Sequence, residues 1–373
     1  MVQPLPGTEL AEFDTPVLVV DIDAVQRNIE RMAGIARAAG VALRPHAKTH
    51  KSPNFARRQI AAGAVGICCQ KVGEAEVMVA GGVTDILVTN EIVGRIKLAR
   101  LAGLARLVQI RTVADNAEAV AWLGKAARSA GVTIGVLVDC DLGHARTGLA
   151  DPRAAAELGK IVAHTDGLHF DGLQAYHGSI QHTEGWEARR AASDAANARL
   201  QGFRTAFAEA KLACRIVSGA GTGTYPFQTA AAGYTEWQCG SYIFMDREYR
   251  DAKGEDGGPL RTFEHALTML ASVVSVAGEN HCVVDAGYKA LSVDGGEPEL
   301  QGLPGWTFGF AGDEHGRLRC TGAEAAPRPR LGDKVQIIPG HGDTTINLHD
   351  DYYVVSGGRL VGVWPVAARG RVR

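Results

Sequence analysis

Residues 43–51, LRPHAKTHK, gather Arg44, His46, Lys48, His50 and Lys51 within nine positions. A lysine amine attacks a carbonyl only when unprotonated, and desolvation and nearby positive charge both disfavour the ammonium form. In an extended chain Arg44, His46, Lys48 and His50 share one face, while Pro45, Ala47, Thr49 and Lys51 share the other. Lys48, flanked by cations, is the candidate nucleophile. Lys51 opens the next helical pattern and is expected to point to solvent. The plain alternative is a solvated basic loop.

Three more segments carry chemistry-bearing residues. SGAGTGT (218–224) has glycines that let backbone approach a ligand, and its successive N–H groups can form an anion-binding nest. Its spacing is not the dinucleotide fingerprint. PGHGDTTINLHD (339–350) places His341 and Asp343 two apart, on one side of an extended segment, with His349 and Asp350 as competing ligands of the same types. Imidazole plus carboxylate suits a divalent ion, and the oxygen ligand favours magnesium or manganese. QAYHGSIQH (174–182) offers Gln174, Tyr176, His177 and His182, where an imidazole could serve as a general base. In DLGHARTG (141–148), Arg146 could bind an anionic ring oxygen or a carboxylate. For each segment the bland alternative is an ordinary polar turn or surface side chain.

Something must position these residues. Short apolar runs at 42–44, 65–69, 85–89, 107–111, 133–139, 168–175, 214–218 and 235–240 alternate with helical stretches. Eight such units predict a (β/α)8 barrel, whose chemistry sits at the carboxyl ends of its strands. Each segment named so far, apart from 339–350, follows one of these runs. From about residue 260 strands follow one another without long helices, and YYVVSGGRLVGVW reads as a hairpin turning at Gly357 and Gly358. The expected organisation is a barrel over 23–255 and a smaller antiparallel β domain over 256–373, joined by the N-terminal strand within 1–22.

With 39 basic and 41 acidic residues the chain is near neutral, so nucleic acid and anionic membranes are not expected partners. No apolar run approaches the ~18 residues of a membrane span, and no signal-peptide pattern opens the sequence. Seven cysteines without CxxC spacing fit small buried residues in a reducing cytoplasm.

The segments RPHAKTHK, GICCQKVGEAE, VTNEIV, LQAYHGSIQH, GAGTGT, TEWQCGSYIFMD, VVDAGYKA and PGHGDTTINLHD together resemble the D-threonine aldolase and D-serine dehydratase family. That resemblance spans nearly the whole chain. It implies an alanine-racemase-like fold, pyridoxal 5'-phosphate as cofactor, a divalent metal and a homodimer. It places the Schiff-base lysine at Lys48 and an arginine approaching the cofactor's phenolic oxygen at Arg146, with Tyr176 also at the cofactor. It places the phosphate site at Gly219, Gly221, Thr222, Gly223, Gly240, Ser241 and Tyr242. His182 becomes the histidine beside the substrate β-hydroxyl, and His341 and Asp343 become the metal ligands. The His-x-Asp pair is the aldolase form, whereas D-serine dehydratases carry His-x-Cys. The implied activity is cleavage of D-β-hydroxy amino acids to glycine and an aldehyde, with dehydration of such amino acids as the alternative. The chain departs from the family pattern at Ala220, where a glycine is common, and at Gly342.

Overall fold

The computed structural model describes residues 4–322 and 327–373, and the chain divides into two compact units. One comprises Glu30–Gly240, Ala252–Gly258 and Gly370–Arg373; the other comprises the chain up to Ile29, Ser241–Asp251 and Pro259–Arg369.

The first unit is a parallel barrel. Its strands, in chain order, are Ala42–Leu43, Ile67–Cys69, Asp85–Glu91, Gln109–Ala114, Ile134–Asp139, Leu168–Ala175, Ile216–Gly219 and Glu236–Trp237. Each pairs in parallel with its neighbours, and a parallel bridge from His46 to Cys68 joins the first strand's continuation to the second. All eight predicted strands are present. Helices such as Pro53–Ala61, Val72–Ala80, Ala117–Ala130 and Trp186–Glu209 connect them where the sequence pattern put them. Local signals fix the ends: Asn116 accepts from the Ala119 N–H at 2.8 Å to start Ala117–Ala130, and Gly131 at φ +66° stops it.

Strand alternation explains the continuous apolar runs. One parity, including Ile67, Ile86, Val88, Ile110, Ile134, Val136 and Val217, packs with helix residues such as Ala75, Leu101, Val120 and Phe203. The other parity fills the barrel in layers. A charged layer holds Arg44, Asp85, Arg111, Asp171 and Glu236. An apolar layer of Cys68, Leu87, Val113 and Leu137 follows. Nearer the strands' carboxyl ends come polar groups: His46 on Thr89, and Asp139, Gln174, Gln238 and Ser218 in one chain of hydrogen bonds.

The second unit is a nine-stranded sheet. Val17–Asp21 lies between Leu267–Ser275, to which it is antiparallel, and Asp351–Ser356, to which it is parallel. The sheet is therefore mixed at this one pairing, because an early strand is inserted between late ones. Asp351–Ser356 and Arg359–Pro365 form the predicted hairpin, with positive φ at both Gly357 and Gly358. Phe13, Val19, Leu270, Tyr353, Val355 and Leu360 make a core cluster. All seven cysteines are free of disulfides. Among the described residues no helix is long and apolar enough to cross a membrane.

Candidate active site

The basic run after the first barrel strand is not a pool of equivalent cations. Arg44 is buried and bonds Glu236 at 2.9 Å and Asp85 at 2.5 Å. It belongs to the charged layer and does not share a face with Lys48, as the extended-chain parity predicted; the chain leaves the strand after His46 and turns over residues 47–50. Lys51 is also buried, held at φ +48° with its ammonium 2.7 Å from Glu74. The expectation that it faces solvent is therefore wrong, because Glu74 on the next helix compensates its charge. The His46 ring bonds Thr89 through Nε2 at 2.9 Å and accepts the Lys48 backbone N–H on Nδ1 at 3.2 Å. Lys48 itself is half-buried in the turn following the strand. Directly beside it, the buried Thr49 hydroxyl has no hydrogen-bond partner among the described residues. A Cβ on Gly240 would meet that hydroxyl at 2.8 Å and the His46 carbonyl at 2.9 Å. Gly240 thus lies against the Lys48 turn, and an orphaned donor there fits a polar ligand.

The glycine loop after the seventh strand is built tightly onto Gln181. The Gln181 side chain accepts the Gly223 N–H at 3.1 Å and donates to the Thr224 hydroxyl at 2.9 Å and to the His177 carbonyl at 3.0 Å. A Cβ at Gly221 or Gly223 would collide with Gln181, and one at Gly219 with the Ala175 carbonyl. Ala220 occupies a left-handed conformation, φ +58°. That backbone angle favours glycine, the residue that the family resemblance led us to expect there. Gln181 adjoins His182, so the loop and that histidine share one support. Thr222 is buried in the same loop. Ser241 and Tyr242 lie in the buried turn Ser241–Ile243 of the second unit, where the Tyr242 ring packs 5.5 Å from Phe263.

Arg146 and Tyr176 are brought together: the exposed guanidinium lies over the Tyr176 ring, 5.7 Å from its centroid. His144 and His177 sit beside them with rings 5.5 Å apart. Burial, together with positive charge on Arg146 for His144 and the His144 ring for His177, lowers both pKa values. Sequence reasoning missed the acid at the end of the third strand. Burial and the carboxylate of Asp139 push Glu91 up to about 8. Asp139 in turn accepts from Gln174 at 3.0 Å and Thr147 at 2.8 Å.

In the second unit His341 caps the short helix Gly342–Ile346, so Asp343 lies in a helical first turn and the segment is not extended as expected. Asp294 accepts the His341 Nδ1–H at 2.7 Å, which fixes the ring and leaves Nε2 as its unprotonated nitrogen when the imidazole is neutral. A carboxylate behind an imidazole is the usual support for a metal-bound histidine. Burial disfavours the imidazolium, but Asp343, Asp246 and Asp294 outweigh it and raise the His341 pKa. Burial pushes Asp246, which accepts the Gly342 N–H at 2.8 Å, up to about 6. Among the described residues no group of three or more His, Cys, Asp or Glu side chains is arranged to hold a metal. An imidazole and a carboxylate at His341 and Asp343 are donor types that suit a hard divalent ion. The competing pair is committed elsewhere: His349 bonds the Ala290 carbonyl at 2.8 Å, and Asp350 pairs with Arg369 at 2.6 Å. Asp294 carries no motif signal, and Asp246 lies at the end of the quoted TEWQCGSYIFMD without having been singled out.

A barrel presenting a lysine after its first strand, followed by a β unit, defines an alanine-racemase-like protein. The family model "Alanine racemase, N-terminal domain" matches residues 20–248, and "Putative serine dehydratase domain" matches 266–355. The chain is 42% identical to a D-threonine aldolase of Arthrobacter sp. over 98% of this chain and 95% of that one. It is 41% identical to a 3-hydroxy-D-aspartate aldolase of Paracoccus denitrificans over the same shares. The crystal structure of D-threonine aldolase from Filomicrobium marinum superposes with a TM-score of 0.95 at 42% identity, covering 99% of this chain and all of that one. The chain belongs to the D-threonine aldolase and D-serine dehydratase family, on its aldolase branch, and is an enzyme of the lyase class.

Proposed function

We propose that the protein cleaves D-β-hydroxy amino acids of the D-threonine type to glycine and an aldehyde. The observation that carries this reading is the pair His341 and Asp343. A carboxylate stands where the dehydratase branch has a thiolate, and Asp294 orients the imidazole.

Lys48 would hold pyridoxal phosphate as an imine until a substrate amine replaces it, and the cofactor, when bound, would supply an electron sink for cleavage next to Cα. Arg146, stacked on Tyr176, would bind the cofactor's phenolic oxygen. Gly219, Gly221, Thr222 and Gly223, with Gly240, Ser241 and Tyr242, would hold its phosphate through backbone and hydroxyl donors. His341 and Asp343 would hold a divalent ion, manganese or magnesium, which would supply positive charge to favour loss of the β-hydroxyl proton. His182 removes the β-hydroxyl proton as general base. The oxygen keeps the electron pair and becomes the aldehyde carbonyl as the carbon–carbon bond breaks. A proton then adds to Cα, giving glycine. We further read the protein as a cytoplasmic homodimer, measurable by sedimentation.

The serine dehydratase model over 266–355 favours a second reading, dehydration to ammonia and a 2-oxo acid. Product analysis with D-threonine and 3-hydroxy-D-aspartate decides between them. Glycine with acetaldehyde or glyoxylate is expected; ammonia in stoichiometric amount would establish the dehydratase.

A further inference from the structure

Arg189 has no exposed surface and lies in the first turn of Trp186–Glu209. Its guanidinium binds only neutral oxygens. Nε donates to the Gly223 carbonyl at 2.9 Å, Nη1 to those of Thr183 at 2.9 Å and Ala252, and Nη2 to that of Lys253 at 2.7 Å. The Trp186 ring lies 5.7 Å from its carbon. No carboxylate among the described residues pairs with it. The acidic neighbours in the same region serve other cations: Glu184 binds Lys253 at 2.7 Å, while Glu187 and Glu255 face Arg190 at 3.6 and 3.9 Å. Burial lowers the Arg189 pKa, yet a guanidinium keeps its proton at any physiological pH.

A buried charge without a counter-charge is costly, and folds seldom tolerate one without a use. Here the charge is bonded directly to the glycine loop, at Gly223. It is bonded also to Thr183, the residue after His182. We propose that Arg189 is a positioning residue whose unneutralised charge draws a phosphate dianion into the 219–224 loop and locks that loop to the His182 segment. This rests on the reading of that loop as the cofactor's phosphate site. The neutral carbonyl cage orders the loop without cancelling the field, so the counter-charge arrives with the ligand. In sequence the residue is unremarkable, one arginine of the pair in EARRAA.

The test compares pyridoxal phosphate with pyridoxal, which lacks the phosphate, binding to the cofactor-stripped full chain and followed by absorbance. Arg189→Met is expected to weaken pyridoxal phosphate about ten- to a hundredfold and to leave pyridoxal nearly unchanged. Arg189→Gln, which keeps hydrogen-bond donors without charge, should show the same selective loss and answers the question if the methionine variant does not fold. Arg189→Lys should retain the wild-type preference for the phosphorylated form. Equal weakening of both ligands, or of neither, in the neutral variants would overturn the proposal and leave a purely structural clamp. A lysine variant that loses the preference would overturn it as well. Wild-type protein that binds neither compound would instead refute the cofactor reading, and this inference with it.

Discussion

Ala220 holds a backbone angle, φ +58°, that a Cβ resists by about 1–2 kcal/mol. Replacing it with glycine removes that strain, while the looser unfolded chain takes part of the gain back. Ala220→Gly should therefore stabilise the fold by about 0.5–1 kcal/mol, read by urea denaturation. Glu91 behaves differently because its strain is electrostatic. Burial and Asp139 raise its pKa from 4.5 to about 8. Between those values the folded protein keeps a proton that the unfolded chain releases, so stability falls as pH rises through that window. Glu91→Gln should leave stability near pH 5 almost unchanged and raise it near pH 9, removing part of the wild-type slope. A slope identical in both proteins would assign the titration to another group. At the chemistry itself, Lys48→Ala should abolish the cofactor's covalent absorption band. His182→Ala should keep the band and slow cleavage by about 10²–10⁴-fold. Lys48, His182, His341 and Asp343 were nameable from sequence because each sits in a short stretch dense in chemical groups. Asp294 and Arg189 were not, and Gln181, though inside QAYHGSIQH, was passed over. Each bonds other polar groups of the candidate site, a role that only the three-dimensional contacts display.

The strands were legible because a helix-covered parallel barrel buries both strand faces, leaving continuous apolar runs. Which polar residue belongs to which layer was not. Arg44 and His46 share a parity, but only the three-dimensional pairing separates the charged layer from the mouth. That charged layer joins strands one, three, four, six and eight through Arg44, Arg111, Asp85, Asp171 and Glu236. Breaking one partner leaves the others charged and dry. Arg44→Leu is therefore expected to cost about 3–5 kcal/mol in chemical denaturation. Arg44→Leu combined with Glu236→Leu should cost less than the sum of the separate changes, since the pair is removed together.

For the molecule as a whole, exhaustive chelation should stop turnover while the cofactor's absorption remains; full activity without metal would exclude a catalytic ion. The mixed sheet explains why the second unit was harder to delimit than the barrel: its middle strand comes from the opposite end of the sequence. Val17–Asp21 finds its two partners about 250 and about 330 residues downstream. During synthesis that segment, VLVVD, leaves the ribosome long before either neighbour exists. It must wait with both backbone edges open, an aggregation hazard that grows with concentration. Recovery from denaturant should accordingly improve on dilution, or with a holdase that shields those five residues until both partner strands have folded.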